Sequence, residues 1–295
     1  MKLELGIKKA VRGQRKAKIL LAAPAGGGKT YSALAMATGL KNGGKILLLD
    51  TENNSSTLYA DDFEFDQANL PDVDPATYVA ALTDPAVLAY DVVVLDSASH
   101  LWQYLLDKSK KMQGNSFANW GKLGAEYDPF VNAVVRCPTH LIVTTRAKIK
   151  YEQNDRGKVE PIGLDPIMRD GFEYEVDLFG MLDIDHNMTI RKTRIAKFAD
   201  KIISKPGEEF GRSVKEWLDS GEAPPPPLEP LADPGMHVLE CPKSQLKGKT
   251  LIEIVQSHPD WLPGTLASPL KLGALTEADR VNAKALFNKL GATHE

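Results

Sequence analysis

The stretch from Ile19 to Thr38, I-L-L-A-A-P-A-G-G-G-K-T-Y-S-A-L-A-M-A-T, constrains the fold more than any other. Ile19-Leu20-Leu21-Ala22 has the length and apolar character of a buried strand. Pro24-Ala25-Gly26-Gly27-Gly28 cannot continue that strand or begin a helix easily. Lys29-Thr30 then opens an Ala/Leu/Met-rich segment with good helix propensity. Strand, glycine loop, Lys-Thr and helix in this order make a phosphate-binding loop. Glycines let backbone N–H groups turn inward around an anion, and the helix N-terminus adds unpaired donors. Pro24 through Tyr31 are therefore the candidate nucleotide-binding residues. Lys29 would reach the β- and γ-phosphates, and Thr30 would help hold Mg²⁺. One position departs from the common pattern: Ala23 stands where a first glycine is usual.

Two further apolar runs end in acids. Lys45-Ile46-Leu47-Leu48-Leu49-Asp50 reads as a central parallel strand, apolar on both faces, followed by Thr51-Glu52. Open α/β sheets place their sites at the C-terminal ends of strands. Glu52 is there a candidate base for a water beside a γ-phosphate, against the plainer reading of a loop acid or helix cap. Val92-Val93-Val94-Leu95-Asp96-Ser97 is the third strand. Asp96 is the candidate acid of the metal shell and Ser97 its support. Thr139 to Thr145 is a fourth strand, and its polar end, Thr144-Thr145-Arg146, suits a γ-phosphate sensor.

The rest of the chain carries weaker signals. Residues 59–90 read as irregular apart from a short helix within 75–88, and 100–135 as helical with a break at 113–116. Phe117, Trp120 and Tyr127 are either core contacts or platforms for bases. Lys148 to Glu152 and Gly157 to Pro161 read as a hairpin. With Lys148, Lys150, Tyr151, Arg156 and Lys158 it is either a single-strand contact or a solvated ribbon. Tyr174 to Ile184 and Met188 to Ile195 read as strands. Arg191, Arg194 and Lys197 are then either edge-strand charges or a cationic finger for a neighbouring subunit's phosphate. Residues 221–235, rich in proline, read as an extended linker between a core at 1–220 and a small module at 236–295.

Composition excludes little and agrees with a globular chain. The net charge of −3 over 295 residues announces no nucleic-acid partner, although residues 1–18 carry seven Lys/Arg against Glu4. Cys137 and Cys241 lie too far apart for a metal motif and read as buried thiols. No run approaches the roughly 18 apolar residues of a membrane span, and no signal-peptide core precedes the first strand. A cytoplasmic protein is expected.

The phosphate loop, Leu49-Asp50-Thr51-Glu52, Val94-Leu95-Asp96-Ser97 and the strand ending in Thr145-Arg146 together resemble the RecA-like ATPase core. Asn119-Trp120-Gly121-Lys122 and the Arg146 to Asp170 segment are similar to the compact phage-encoded members that serve as single-strand annealing proteins or recombinases. The resemblance implies an α/β fold with a mostly parallel sheet, ATP with Mg²⁺, Glu52 as catalytic glutamate and Asp96 as metal-site acid. It implies DNA-binding segments near 112–125 and 147–169, and an oligomer, filament or ring, on single-stranded DNA in the cytoplasm of a bacterial host. It also implies a single-strand-binding or other recombination protein as partner. The family's Asn-Gln at the end of the fourth strand is Thr145-Arg146 here. Residues 247–254, Lys-Gly-Lys-Thr-Leu-Ile-Glu-Ile, with Asp260-Trp261-Leu262, resemble the small terminal domain of some exodeoxyribonucleases. Two other functions fit the same motifs: a phosphate-loop ATPase with a client outside recombination, and an ATP-binding single-strand scaffold with little hydrolysis.

Overall fold

A computed structural model describes residues 9–153, 157–223, 230–241, 246–266 and 275–291, with backbone only for 116–118 and 291. Two compact units make up the chain, Met1–Ala223 and Pro224–Glu295. The linker prolines at 224–229, the alternating residues Leu3, Leu5 and Ile7, Lys243 and Arg156 lie outside the described residues.

In the first unit the strands are β1 (Lys18–Ala23), β2 (Ile46–Asp50), β3 (Asp66–Asn69), β4 (Val92–Asp96), β5 (His140–Gln153), β6 (Val159–Pro166), β7 (Leu178–Leu182), β8 (Asn187–Thr193) and β9 (Ile202–Ser204). They order as β3-β2-β4-β5-β1-β7-β8-β9, with β6 paired to β5 alone. From β3 to β7 every neighbouring pair is parallel; β8 and β9 add antiparallel strands at one edge. The expected α/β class with a mostly parallel sheet is the fold observed. Its central strands are buried on both faces, which is why they read as unbroken apolar runs.

Period-two alternation sorts the strand side chains into two cores. Leu20, Ala22, Leu47, Leu49, Val93 and Leu95 face α2 (Pro75–Thr83), α4 (Ser99–Lys111) and α5 (Ser116–Arg136). Ile19, Leu21, Leu48, Val92 and Val94 face α1 (Lys29–Leu40) and α7 (Glu208–Asp219). The short helices α3 (Pro85–Leu88) and α6 (Phe172–Glu175) add Val87, Leu88 and Phe172 to the first of these cores. α1 and α7 cross with their backbones almost touching. A Cβ on Gly39 would lie 1.9 Å from the Glu208 carbonyl oxygen, and one on Gly211 would lie 2.1 Å from that of Met36. Only glycine at both positions permits this approach.

Two local expectations need correction, and one strand was not expected. Residues 66–69 form β3, a parallel edge strand whose Asp-Gln-Ala-Asn carries no apolar pattern to reveal it. The strand expected from Tyr174 begins only at Leu178, after the helical turn of α6. β9 is a three-residue edge strand that follows the expected pair.

The second unit holds α8 (Leu251–Ser257), α9 (Trp261–Leu266) and α10 (Glu277–Gly291) around Leu239, Cys241, Leu251, Ile254, Leu262, Ala283 and Leu286. The end of the stretch read above as linker is bound to this unit: Pro234 and Gly235 are buried, and the N–H of exposed Leu231 donates to Asn282 Oδ1 at 2.8 Å. Thr250 and Glu253 form a capping box at the start of α8. At the start of α10, Asp279 accepts from Thr276 N (3.1 Å), Glu240 N (2.8 Å) and His237 Nε2 (2.9 Å).

Candidate active site

Sheet register brings the sequence motifs to one edge. Asp50 lies opposite Asp96, Thr144 opposite Leu21, and Arg146 opposite Ala23, the last residue before the glycine loop. Asp96 shares the face of Val92 and Val94, the side on which α1 packs, so its carboxylate meets the first turn of that helix. Thr30 Oγ1 donates to Asp96 Oδ2 at 2.5 Å, and Thr144 Oγ1 donates to Oδ1. Lys29 Nζ stands 3.2 Å from Asp96 Oδ1 and 3.3 Å from Glu52 Oε2. Arg146 Nε stands 3.3 Å from Glu52 Oε1, which also accepts from Ser97 Oγ at 3.2 Å. Two carboxylates and two cations therefore interlock at the strand ends.

Glu52 is placed by its backbone as well. Its N–H donates to the Asp50 carboxylate at 2.5 Å, while the other Asp50 oxygen accepts from Ser56 Oγ at 2.6 Å. Burial opposes ionisation of Glu52, but Lys29 and Arg146 outweigh it and hold its carboxyl below the usual range. His100, in the first turn of α4, lies within 2.7 Å of Thr51 Oγ1 through Nδ1. Burial, reinforced by Arg146, lowers its pKa and favours the neutral imidazole. Glu52, His100, Arg146, Tyr104 and Lys111 line an open cleft of about 760 Å³ beside this cluster.

The loop suits a phosphate chain. Gly26 and Gly28 adopt positive φ of 78° and 76°, the conformation that turns successive N–H groups toward one point. A Cβ on Gly26 would meet nothing within 4 Å, so its outer side is open. Gly27 and Gly28 instead abut the β7–β8 turn: their Cβ positions lie 3.1 Å from the Asp183 carbonyl oxygen and 3.0 Å from His186 Nδ1. A hydroxyl and a carboxylate at hydrogen-bond distance fit Mg²⁺, which keeps most of its shell as water and phosphate oxygen. Thr30 and Asp96 would hold that ion, and it would supply positive charge to the phosphate oxygens.

The other candidate residues fall elsewhere. Tyr31 is half-exposed and packs edge-on against Tyr59 and Phe63, at 5.8 and 4.9 Å between ring centres. Trp120 packs on Trp102 at 5.6 Å beside the core, while Lys122 is exposed on α5. β5 and β6 run beyond the sheet as a ribbon carrying exposed Lys148, Lys150 and Tyr151. Ile149, Tyr151, Val159 and Ile162 give that ribbon exposed apolar side chains. Lys158 pairs with Glu160 at 3.0 Å. Arg194 pairs with Asp177 at 3.0 Å, at the sheet end opposite the loop. Lys197 Nζ donates to Ser213 Oγ at 2.6 Å, and Arg191 is exposed on β8 near Gly163.

Sequence reasoning gave no role to Asp50, Thr51, His100 or the 183–186 turn, and it grouped Thr144 with Thr145 and Arg146 as a phosphate sensor without pairing it to Asp96. Thr144 had a usable signal: it is two residues from Ile142 and so shares the α1 face with Asp96. The adjacent Thr145 points to the other face, where its buried hydroxyl finds no partner among the described residues.

A glycine loop at the mouth of a parallel sheet, with Lys, Thr and two acids converging on it, defines a phosphate-loop ATPase. A family model described as AAA domain matches residues 15–209, and the chain belongs to that family. No curated protein matches the chain. Among the described residues, no helix is long and apolar enough to cross a membrane.

Proposed function

We propose that this AAA-domain protein binds and anneals single-stranded DNA in an ATP-dependent manner, as an oligomer on the strand, in phage homologous recombination. ATP with Mg²⁺ is held by the loop from Pro24 to Tyr31 with Thr30 and Asp96. Glu52 takes the proton of the attacking water, and Lys29 follows the charge that develops on the phosphate. A recombination partner such as a single-strand-binding protein belongs to the same reading.

The observation that carries it is the position of Arg146. It pairs with Glu52 and is also the residue from which the β5–β6 ribbon departs, with Lys148, Lys150 and Tyr151 beyond it. Cations and an aromatic ring along an exposed two-stranded ribbon suit a phosphodiester backbone and stacked bases. A strand lying there acts on β5, whose Arg146 pairs with Glu52.

A second reading has its own support. Lys158 is paired with Glu160 and Trp120 is packed on Trp102, so those two groups are already engaged within the chain. This favours an ATPase whose client is not DNA. ATP hydrolysis measured with and without single-stranded DNA, on wild type and Lys29→Ala, separates the two. Several-fold stimulation that vanishes in Lys29→Ala supports the annealing protein. DNA-indifferent hydrolysis, with no DNA binding in ATP, leaves an ATPase with another client.

A further inference from the structure

The glycine loop has two flanks. On one stand Glu52, Asp96 and Arg146, at the ends of β2, β4 and β5. On the other, across β1, stands the turn joining β7 to β8. Lys29 is paired with Glu52 and Asp96, so the terminal phosphate of a bound nucleotide belongs on the first flank. A nucleoside joined to those phosphates would then leave the loop on the second.

That second flank is a rigid wall. Asp183 Oδ1 accepts from Asp185 N and Asn187 N, both at 2.9 Å, and Asp183 N donates to the Asn187 carbonyl at 3.0 Å. His186 takes a positive φ of 64°, and its carbonyl accepts from Lys205 N at 2.9 Å. Its ring lies against Gly28, where a Cβ would stand 3.0 Å from His186 Nδ1. In the middle of the turn Ile184 is 70% exposed, an apolar side chain left in water beside the loop. The Asp183 carboxylate is engaged within the turn, and the exposed Ile184 offers van der Waals contact to a ring.

We infer that the Asp183–His186 turn is the rest for the nucleobase, with Ile184 and the His186 ring as its contact surface. The inference rests on the nucleotide-binding half of the proposed function. A flat aromatic base covers the exposed Ile184, and the preformed turn loses little conformational freedom in receiving it.

Calorimetric titration of the full chain with ADP and with inorganic tripolyphosphate tests this. Tripolyphosphate fills the loop but has no base. Wild type is expected to hold ADP the more tightly of the two. Ile184→Ser, a change on an exposed side chain, is expected to weaken ADP about fivefold or more, the scale of one lost apolar contact, while tripolyphosphate affinity stays the same. Equal ADP affinity in wild type and Ile184→Ser overturns the base rest, as does wild type holding both ligands equally. Wild type that binds neither ligand removes the nucleotide site itself, and the base rest with it.

Discussion

Arg146 and Glu52 form an ion pair across the strand ends, with Nε 3.3 Å from Oε1, while Lys29 holds the other Glu52 oxygen at 3.3 Å. The candidate base is thus shared between a cation that a phosphate will claim and a cation rooted in the ribbon. Burial alone would favour the protonated acid; the two cations keep it ionised.

Removal of Arg146 is expected to show in the pH profile. Arg146→Ala leaves burial opposed by Lys29 alone, so the Glu52 pKa rises. Because the base acts as the carboxylate, the acid limb of kcat/KM moves to higher pH. An unmoved limb would show that Arg146 does not act through Glu52.

Glu52→Gln keeps the shape of the side chain and removes its basicity. Hydrolysis is expected to fall by about 10²–10⁴-fold, the usual worth of a positioned general base, with ADP affinity nearly unchanged. A parallel loss of ADP affinity would assign Glu52 to binding. Asp50→Asn weakens the acceptor of the Glu52 N–H and is expected to lower kcat in the same direction, while adding little on top of Glu52→Gln.

The crossing of α1 and α7 admits no side chain at Gly39 or Gly211. Either glycine to alanine pushes a methyl group into backbone and is expected to cost about 3 kcal/mol, at the upper end for overpacking. Urea unfolding of the full chain reads it; a cost below about 1 kcal/mol would mean that the helices separate freely.

In the second unit Asp279 accepts two backbone N–H groups and His237 Nε2. Burial works against its charge, but these bonds outweigh it and lower its pKa. A depressed carboxyl stabilises the folded state above the unfolded value near about 3.9, and that stability is lost as pH falls through the folded value. Asp279→Ala is expected to cost about 3 kcal/mol at pH 7, since it orphans these donors. Hydrogen exchange of the α10 amides should show faster opening in the variant at pH 7, and the difference should shrink in acid.

Much of the site was legible because each motif depends on local order. A strand, three glycines and Lys-Thr specify an anion loop whatever surrounds them, and an apolar run ending in an acid places that acid at a strand end. Glu52, Asp96 and Arg146 were accessible in this way. Thr51 and His100, 49 positions apart, met only because β2 and β4 are neighbours in the sheet. Asp50 looked like part of the strand; its role as the acceptor of the Glu52 N–H belongs to a turn that sequence pattern does not encode.

The order of elements, the α/β class and the anion loop were determined by the chain itself, since hydrophobic periodicity and glycine conformations are local properties. Tertiary structure decided the rest. Strand order put Glu52, Asp96 and Arg146 on one flank of the loop and the Asp183–His186 turn on the other. Alternation across β5 chose Thr144 over Thr145 as the partner of Asp96. The approach of α1 to α7 turned two ordinary glycines into obligatory ones. Each depends on which strands and helices become neighbours, and that is set by how both faces of one sheet are buried at once.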